Sequence, residues 1–136
     1  MVMNNFLYHG SAVQNLKVLE PRKRYTPAGK IEYSAIYATP LLPYAIAHSF
    51  PWSSDEGVGL DIVKDNISIS IPKAIKDRLK VPISVYKISS ENFELTKEEE
   101  TGYTWHSTKP VQVLEEIKYE SVEEALKEVG AVVEYV

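Results

Sequence analysis

The chain has 136 residues and a mass of 15.4 kDa, room for one domain (1–136) around one core and for no second domain of ordinary size. Hydrophobic residues make up 44% and charged residues 25%, a globular balance that excludes a disordered, collagen-like or coiled-coil chain. The formal net charge of −4 is unevenly spread: residues 1–90 carry 11 Lys and Arg against 7 Asp and Glu (net +4), and residues 91–136 carry 4 against 12 (net −8). Apolar runs such as Ile83 to Ile88 fall far short of the roughly 20 residues that cross a bilayer. The first residues lack the basic and apolar pattern of a secretion leader, and a sequence without cysteine has no disulfide framework, thiolate zinc site or cysteine nucleophile. The expected setting is a reducing, cytoplasmic one, with no membrane partner.

In chain order, Phe6-Leu7-Tyr8-His9 predicts a strand ending in a turn at Gly10-Ser11, which sets His9 at a strand end. Residues 12–33 hold Pro21, Pro27 and Gly29 among charges and predict a loop with one short helical turn near Val13 to Lys17. Lys17, Arg22, Lys23, Arg24 and Lys30 cluster there; clustered cations attract a pyrophosphate or an RNA backbone, and a plain solvated loop is the other reading. Ser34 to Ala38 predicts a second strand. Thr39-Pro40, or Pro43, then opens a short helix with Leu42, Ala45, Ile46 and Ser49 on one face, stopped by Pro51. Residues 51–59 form a polar loop.

Ile67, Ile69 and Ile71 alternate with Ser68 and Ser70 as in a half-buried strand, and Ile75 and Leu79 suggest a two-turn helix before Pro82. Ile83 to Ile88 and Val111 to Leu114 predict strands inside one sheet. Ser121 followed by Glu124 is a capping signature worth about 1 kcal/mol, ahead of a helix with Val122, Ala125, Leu126 and Val129 on its apolar stripe up to Gly130. Ala131 to Val136 predicts a terminal strand. Many short strands with few short helices indicate an α+β fold with antiparallel sheets.

No dinucleotide fingerprint, P-loop or nucleophile elbow is present, which sets aside Rossmann dehydrogenases, common NTPases and α/β-hydrolases. His9, His48 and His106 lie in three separate segments without metal-ligand spacing, so no metal site is expected, and His48 reads as the cap of the helix ending near Phe50. His9 is the notable one: an imidazole can hydrogen-bond a ribose hydroxyl, and the glycine beside it lets backbone groups approach a planar amide. Tyr37 offers a ring for stacking.

The motifs Leu7-Tyr8-His9-Gly10-Ser11, Ile36-Tyr37-Ala38-Thr39 leading through Tyr44-Ala45, Val85-Tyr86-Lys87-Ile88, and Tyr103-Thr104-Trp105-His106-Ser107 with Val111 resemble, in order and spacing, the ADP-ribosyltransferase-like superfamily. That superfamily includes poly- and mono-ADP-ribosyltransferases and RNA 2′-phosphotransferases. The resemblance spans most of the chain. It implies two small antiparallel sheets forming a cleft for NAD as substrate, with His9 on a ribose hydroxyl, Gly10 at the nicotinamide amide and Tyr37 stacked on nicotinamide; Ser11 and Tyr44 are further cofactor-binding candidates, and the charge of Arg22 and Arg24 suits the pyrophosphate. By the same resemblance the third motif falls at Thr104 or its neighbour, where these transferases usually carry a glutamate that stabilises an oxocarbenium-like transition state. Glu100 and Glu115 are nearby in sequence. The implied activity is transfer of ADP-ribose to an acceptor the sequence does not name. The alternatives are an RNA 2′-phosphotransferase or RNA-end binder, whose family members usually show a histidine where Tyr37 stands and carry an N-terminal winged-helix domain, and a non-catalytic interaction module on the same fold.

Overall fold

The computed structural model describes residues 5–25, 31–96 and 103–136. Its first strand, β1 (Phe6–Ser11), runs through Gly10 and Ser11, where the sequence predicts a turn, so His9 lies inside the strand and not at its end. The partner explains the difference. Strand β7 (Ile83–Ser89) lies antiparallel to β1 in unbroken register from Phe6↔Ser89 to Ser11↔Ser84, and that pairing outweighs a local turn signal. On the far side of β7 lies β10 (Val111–Tyr119), longer than the predicted Val111 to Leu114 and carrying one register shift between Val113 and Glu115. The short β2 (Val18–Leu19) pairs with Val111 and Gln112, giving the order β1-β7-β10-β2.

The stretch predicted as loop and helical turn is organised differently. Val13 to Lys17 is not helical, and the cationic run forms β3 (Arg22–Tyr25) against β4 (Ile31–Ala38). β2 is recruited by β10, about 90 positions on, a signal no local window contains, whereas β3 pairs with the next strand, Tyr25 lying opposite Ile31. Beyond β4 follow β9 (Trp105–Ser107) and β8 (Glu94–Leu95), so the second sheet reads β3-β4-β9-β8. A third sheet, β11-β6-β5, joins β11 (Val132–Tyr135), β6 (Asn66–Ile71) and β5 (Gly59–Val63). The β11–β6 pair is parallel, and every other described pair is antiparallel. The molecule is thus α+β, with mostly antiparallel sheets and few short helices.

Helix α1 (Leu42–Ala47) starts with Pro43 in its first turn, the later of the two predicted starts, and ends at His48. Helix α2 (Val122–Glu128) begins as predicted: the Ser121 hydroxyl accepts the Glu124 N–H at 3.0 Å. The segment holding Ile75 and Leu79, Lys73–Lys80, is 3₁₀ rather than α.

The first sheet is the central layer. One face carries Leu7, Tyr86 and Ile88 against Ile36 and Ala38 of the second sheet, with Leu19 and Phe93 completing that cluster. The other carries Ile83 and Val85 against α1, α2 and the three isoleucines of β6. The alternation of β1 follows: Leu7 and His9 face the second sheet, while Tyr8 and Gly10 face α1. Among the described residues no helix is long and apolar enough to cross a membrane.

Candidate functional site

Sheets one and two touch along one edge of β4. There Tyr8 and Thr39 exchange two backbone hydrogen bonds, Tyr8 N–H to Thr39 at 2.7 Å and Thr39 N–H to Tyr8 at 2.9 Å, as an isolated bridge. A regular ladder would next pair Gly10 with Tyr37. Instead the strands part: the Tyr37 carbonyl accepts from His9 Nδ1 at 2.6 Å, and a wedge opens between β1 and β4. Because Tyr8 spends its backbone groups on Thr39, the alternation of an antiparallel strand aims the N–H and C=O of Gly10 at the same edge, into the wedge.

The wedge leads into a cavity of about 670 Å³, lined among others by His9, Gly10, Ser11, Arg22, Tyr37 and Thr104. Its perimeter is a ring: β4 meets β1 through the bridge, β1 leads to β7, β10 and β2, and Glu20-Pro21 returns the chain to β3 and β4. The size is that of a small-molecule site.

His9 is half-buried and its tautomer follows from its partner. A carbonyl can only accept, so Nδ1 carries the proton shared with Tyr37 and Nε2 presents a lone pair. Burial pushes its pKa below the ordinary 6.5, the Tyr37 carbonyl partly offsets this, and the nearby Arg22 cation lowers it further. Near neutral pH, Nε2 is therefore an acceptor for a hydroxyl.

Gly10 is required for a reason the sequence did not show. A Cβ there would stand 2.1 Å from the Ala45 carbonyl oxygen and 3.0 Å from Ser49 Cβ, so the space a side chain would fill belongs to α1. The backbone edge of Gly10 stays available to the wedge. Ser11 lines the cavity, its hydroxyl accepting the Val13 N–H at 3.0 Å.

Tyr37 of β4 is a cavity-wall residue, and its ring lies on the strand face opposite Ile36 and Ala38, with His106 of β9 beside it at 6.4 Å between ring centroids. His106 is held by the Thr96 hydroxyl at 2.9 Å. Tyr44 reaches the cavity from α1, its ring packed against His48 at 4.5 Å and edge-on to Tyr103 at 6.2 Å. His48 occupies the predicted cap position, but its ring also stacks on Trp52 at 5.5 Å and helps line the cavity. Thr104 sits at the cavity wall just before β9. Arg22 opens β3 and lines the cavity, whereas the side chain of Arg24 and the whole of Lys30 and Glu100 lie outside the described residues. Glu115 is exposed on β10 opposite Lys87, away from the lining.

Sequence reasoning missed Glu20, Thr39 and Ser49 as cavity residues. Ser49 carried only a helix-face signal, and Glu20 became a wall residue through the pairing of β2 with β10, about 90 positions away in the chain. The wall that Glu20 belongs to is anchored by buried Tyr86, whose hydroxyl donates to the Val13 carbonyl at 2.5 Å and accepts the Leu16 N–H at 3.2 Å. Glu116 helps by accepting from Asn15 N–H at 2.9 Å and the Ser84 hydroxyl at 2.6 Å. Burial alone would raise its pKa, but these bonds, with Lys118 and Lys17 nearby, hold it below the ordinary carboxylate value. Comparison with protein-family models, with curated proteins and with solved structures found no match to this chain.

Proposed function

We propose that this protein binds NAD in the wedge between β1 and β4 and transfers ADP-ribose from it to an acceptor, on an ADP-ribosyltransferase-like fold. The observation that carries the reading is that three unlike residues, His9, Gly10 and Tyr37, line one cavity where β1 and β4 part. An imidazole lone pair suits a ribose hydroxyl. A paired N–H and C=O suits a carboxamide, and a phenol ring suits a planar pyridine. Arg22 at the same cavity offers the charge a pyrophosphate needs. Two antiparallel sheets splaying into a ligand-sized opening is also the arrangement the sequence resemblance implies.

A second reading has its own support. The position where the resemblance expects a carboxylate is Thr104, a cavity-lining residue without one, and this favours a module that holds the nucleotide without turning it over. Calorimetric titration tests both. NAD is expected to give saturable heat with the protein, and His9→Ala and Tyr37→Ala each to weaken binding by about tenfold or more, the loss of one good hydrogen bond or stack. No heat at millimolar NAD with folded protein overturns the reading. Release of nicotinamide on incubation separates transferase from binding module.

A further inference from the structure

Breaking the bond between ribose C1′ and the nicotinamide nitrogen sends the electron pair to the pyridine and leaves positive charge on C1′ and the ring oxygen. A nearby carboxylate stabilises that charge. The third-motif position offers none, yet the cavity does: among its described lining residues Glu20 is the one carboxylate.

The register says where Glu20 sits. Arg22 pairs with Ala35, so extending the antiparallel β3–β4 ladder by two residues sets Glu20 opposite Tyr37. Extending the Tyr8↔Thr39 bridge by two residues from the other side sets Gly10 opposite the same Tyr37. Both flanking strands leave β4 at this point, one toward β7 and the other toward β10, so Gly10 and Glu20 flank the wedge mouth with Tyr37 between them. Glu20 is also held from both ends. Buried Leu19 before it pairs with Val111 of the first sheet, Arg22 after it pairs with Ala35 of the second, and Pro21 fixes φ in the two-residue strap between. Such a strap fixes the backbone of Glu20 at the cavity wall, from which its exposed side chain can reach the opening, and a nucleotide filling the cavity would displace the water that screens the carboxylate.

We infer that Glu20 is the carboxylate that serves glycosidic cleavage at this site, in place of a third-motif glutamate. The inference rests on the NAD reading above. As the C1′–N bond breaks and nicotinamide leaves with the electron pair, the Glu20 carboxylate faces the developing cation. Water, or the hydroxyl of an acceptor, then adds its oxygen to C1′, and its proton passes to Glu20 and on to solvent. For water the products are ADP-ribose, nicotinamide and one proton, which balances.

The test follows nicotinamide release from NAD by chromatography for the wild type, Glu20→Gln, Glu20→Asp and Glu100→Gln, with calorimetric NAD binding measured in parallel. Glu20→Gln is expected to lower kcat by about 10²–10³-fold with KM and binding within a few-fold, and Glu20→Asp to retain part of the rate. A loss confined to kcat, with KM and NAD binding kept, is a split that a purely structural role would not produce. A Glu20→Gln turnover within threefold of wild type, or the same loss in Glu100→Gln with Glu20→Gln active, overturns the inference and leaves the NAD reading standing. A wild type that binds NAD and releases no nicotinamide also refutes it, whereas a wild type that binds no NAD removes the reading itself.

Discussion

Replacing Gly10 by alanine separates the two demands made on that residue. The new Cβ would lie 2.1 Å from the Ala45 carbonyl oxygen, so α1 must retreat by about 1.3 Å to reach the 3.4 Å at which such contacts become ordinary. That oxygen is backbone, and it already accepts the His48 N–H that caps the helix at 3.2 Å, so no rotamer change relieves the clash. Nor can the helix move cheaply, because Ala45, Ile46 and Ala47 are 2%, 0% and 0% exposed and pack on β6 and β7 residues. Overpacking of this kind costs about 1–3 kcal/mol, and a rigid backbone contact belongs at the upper end. At about 4 °C per kcal/mol for a chain of this size, Tm should fall by about 10 °C. Urea denaturation with a fitted midpoint and slope measures the loss directly. A Gly10→Ala protein within about 0.5 kcal/mol of wild type would refute the packing argument and leave ligand approach as the sole reason for glycine there.

Tyr86→Phe removes a hydroxyl serving two backbone groups of the 13–16 turn; a loss of about 2 kcal/mol is expected, with faster amide exchange at Leu16 as the local readout. Ser121→Ala should lose about 1 kcal/mol by denaturation, since the α2 N-terminus then lacks the acceptor for Glu124 N–H. Stability should also depend on His9. Its folded pKa lies below the unfolded 6.5, so the unfolded chain takes up a proton first, and the contribution present above pH 6.5 is lost as pH falls through the folded value. The denaturation midpoint measured against pH should show this slope in the wild type and lack it in His9→Gln. Tyr135 is pushed up to about 12 by burial and by its hydrogen bond to Glu123, so its phenolate absorbance should appear only above the ordinary pH 10. Ultraviolet titration compared with Tyr135→Phe checks it, and a normal titration midpoint would contradict the bond.

The chain by itself determined the elements whose signals are local. The Ile67, Ile69, Ile71 alternation specifies β6 because a period of two can bury only one face. Ser121 and the α2 stripe specify a helix because cap and apolar spacing agree. The residues singled out as His9, Gly10, Ser11, Tyr37 and Tyr44 also line one cavity, since each sits in or beside a strand or helix the sequence marks out, while Arg22 and Thr104 reach the same cavity from β3 and from the start of β9, which no local signal marks. What only the tertiary structure decided is where strands begin, end and part. β2 and β3 exist because β10 and β4 offer them partners, and β1 continues past its turn signal because β7 does. The wedge itself is a missing piece of ladder between Gly10 and Tyr37, and no residue encodes a missing hydrogen bond. It arises because α1 holds one strand, β3 holds another, and the His9 ring takes the carbonyl that a regular pairing would have used.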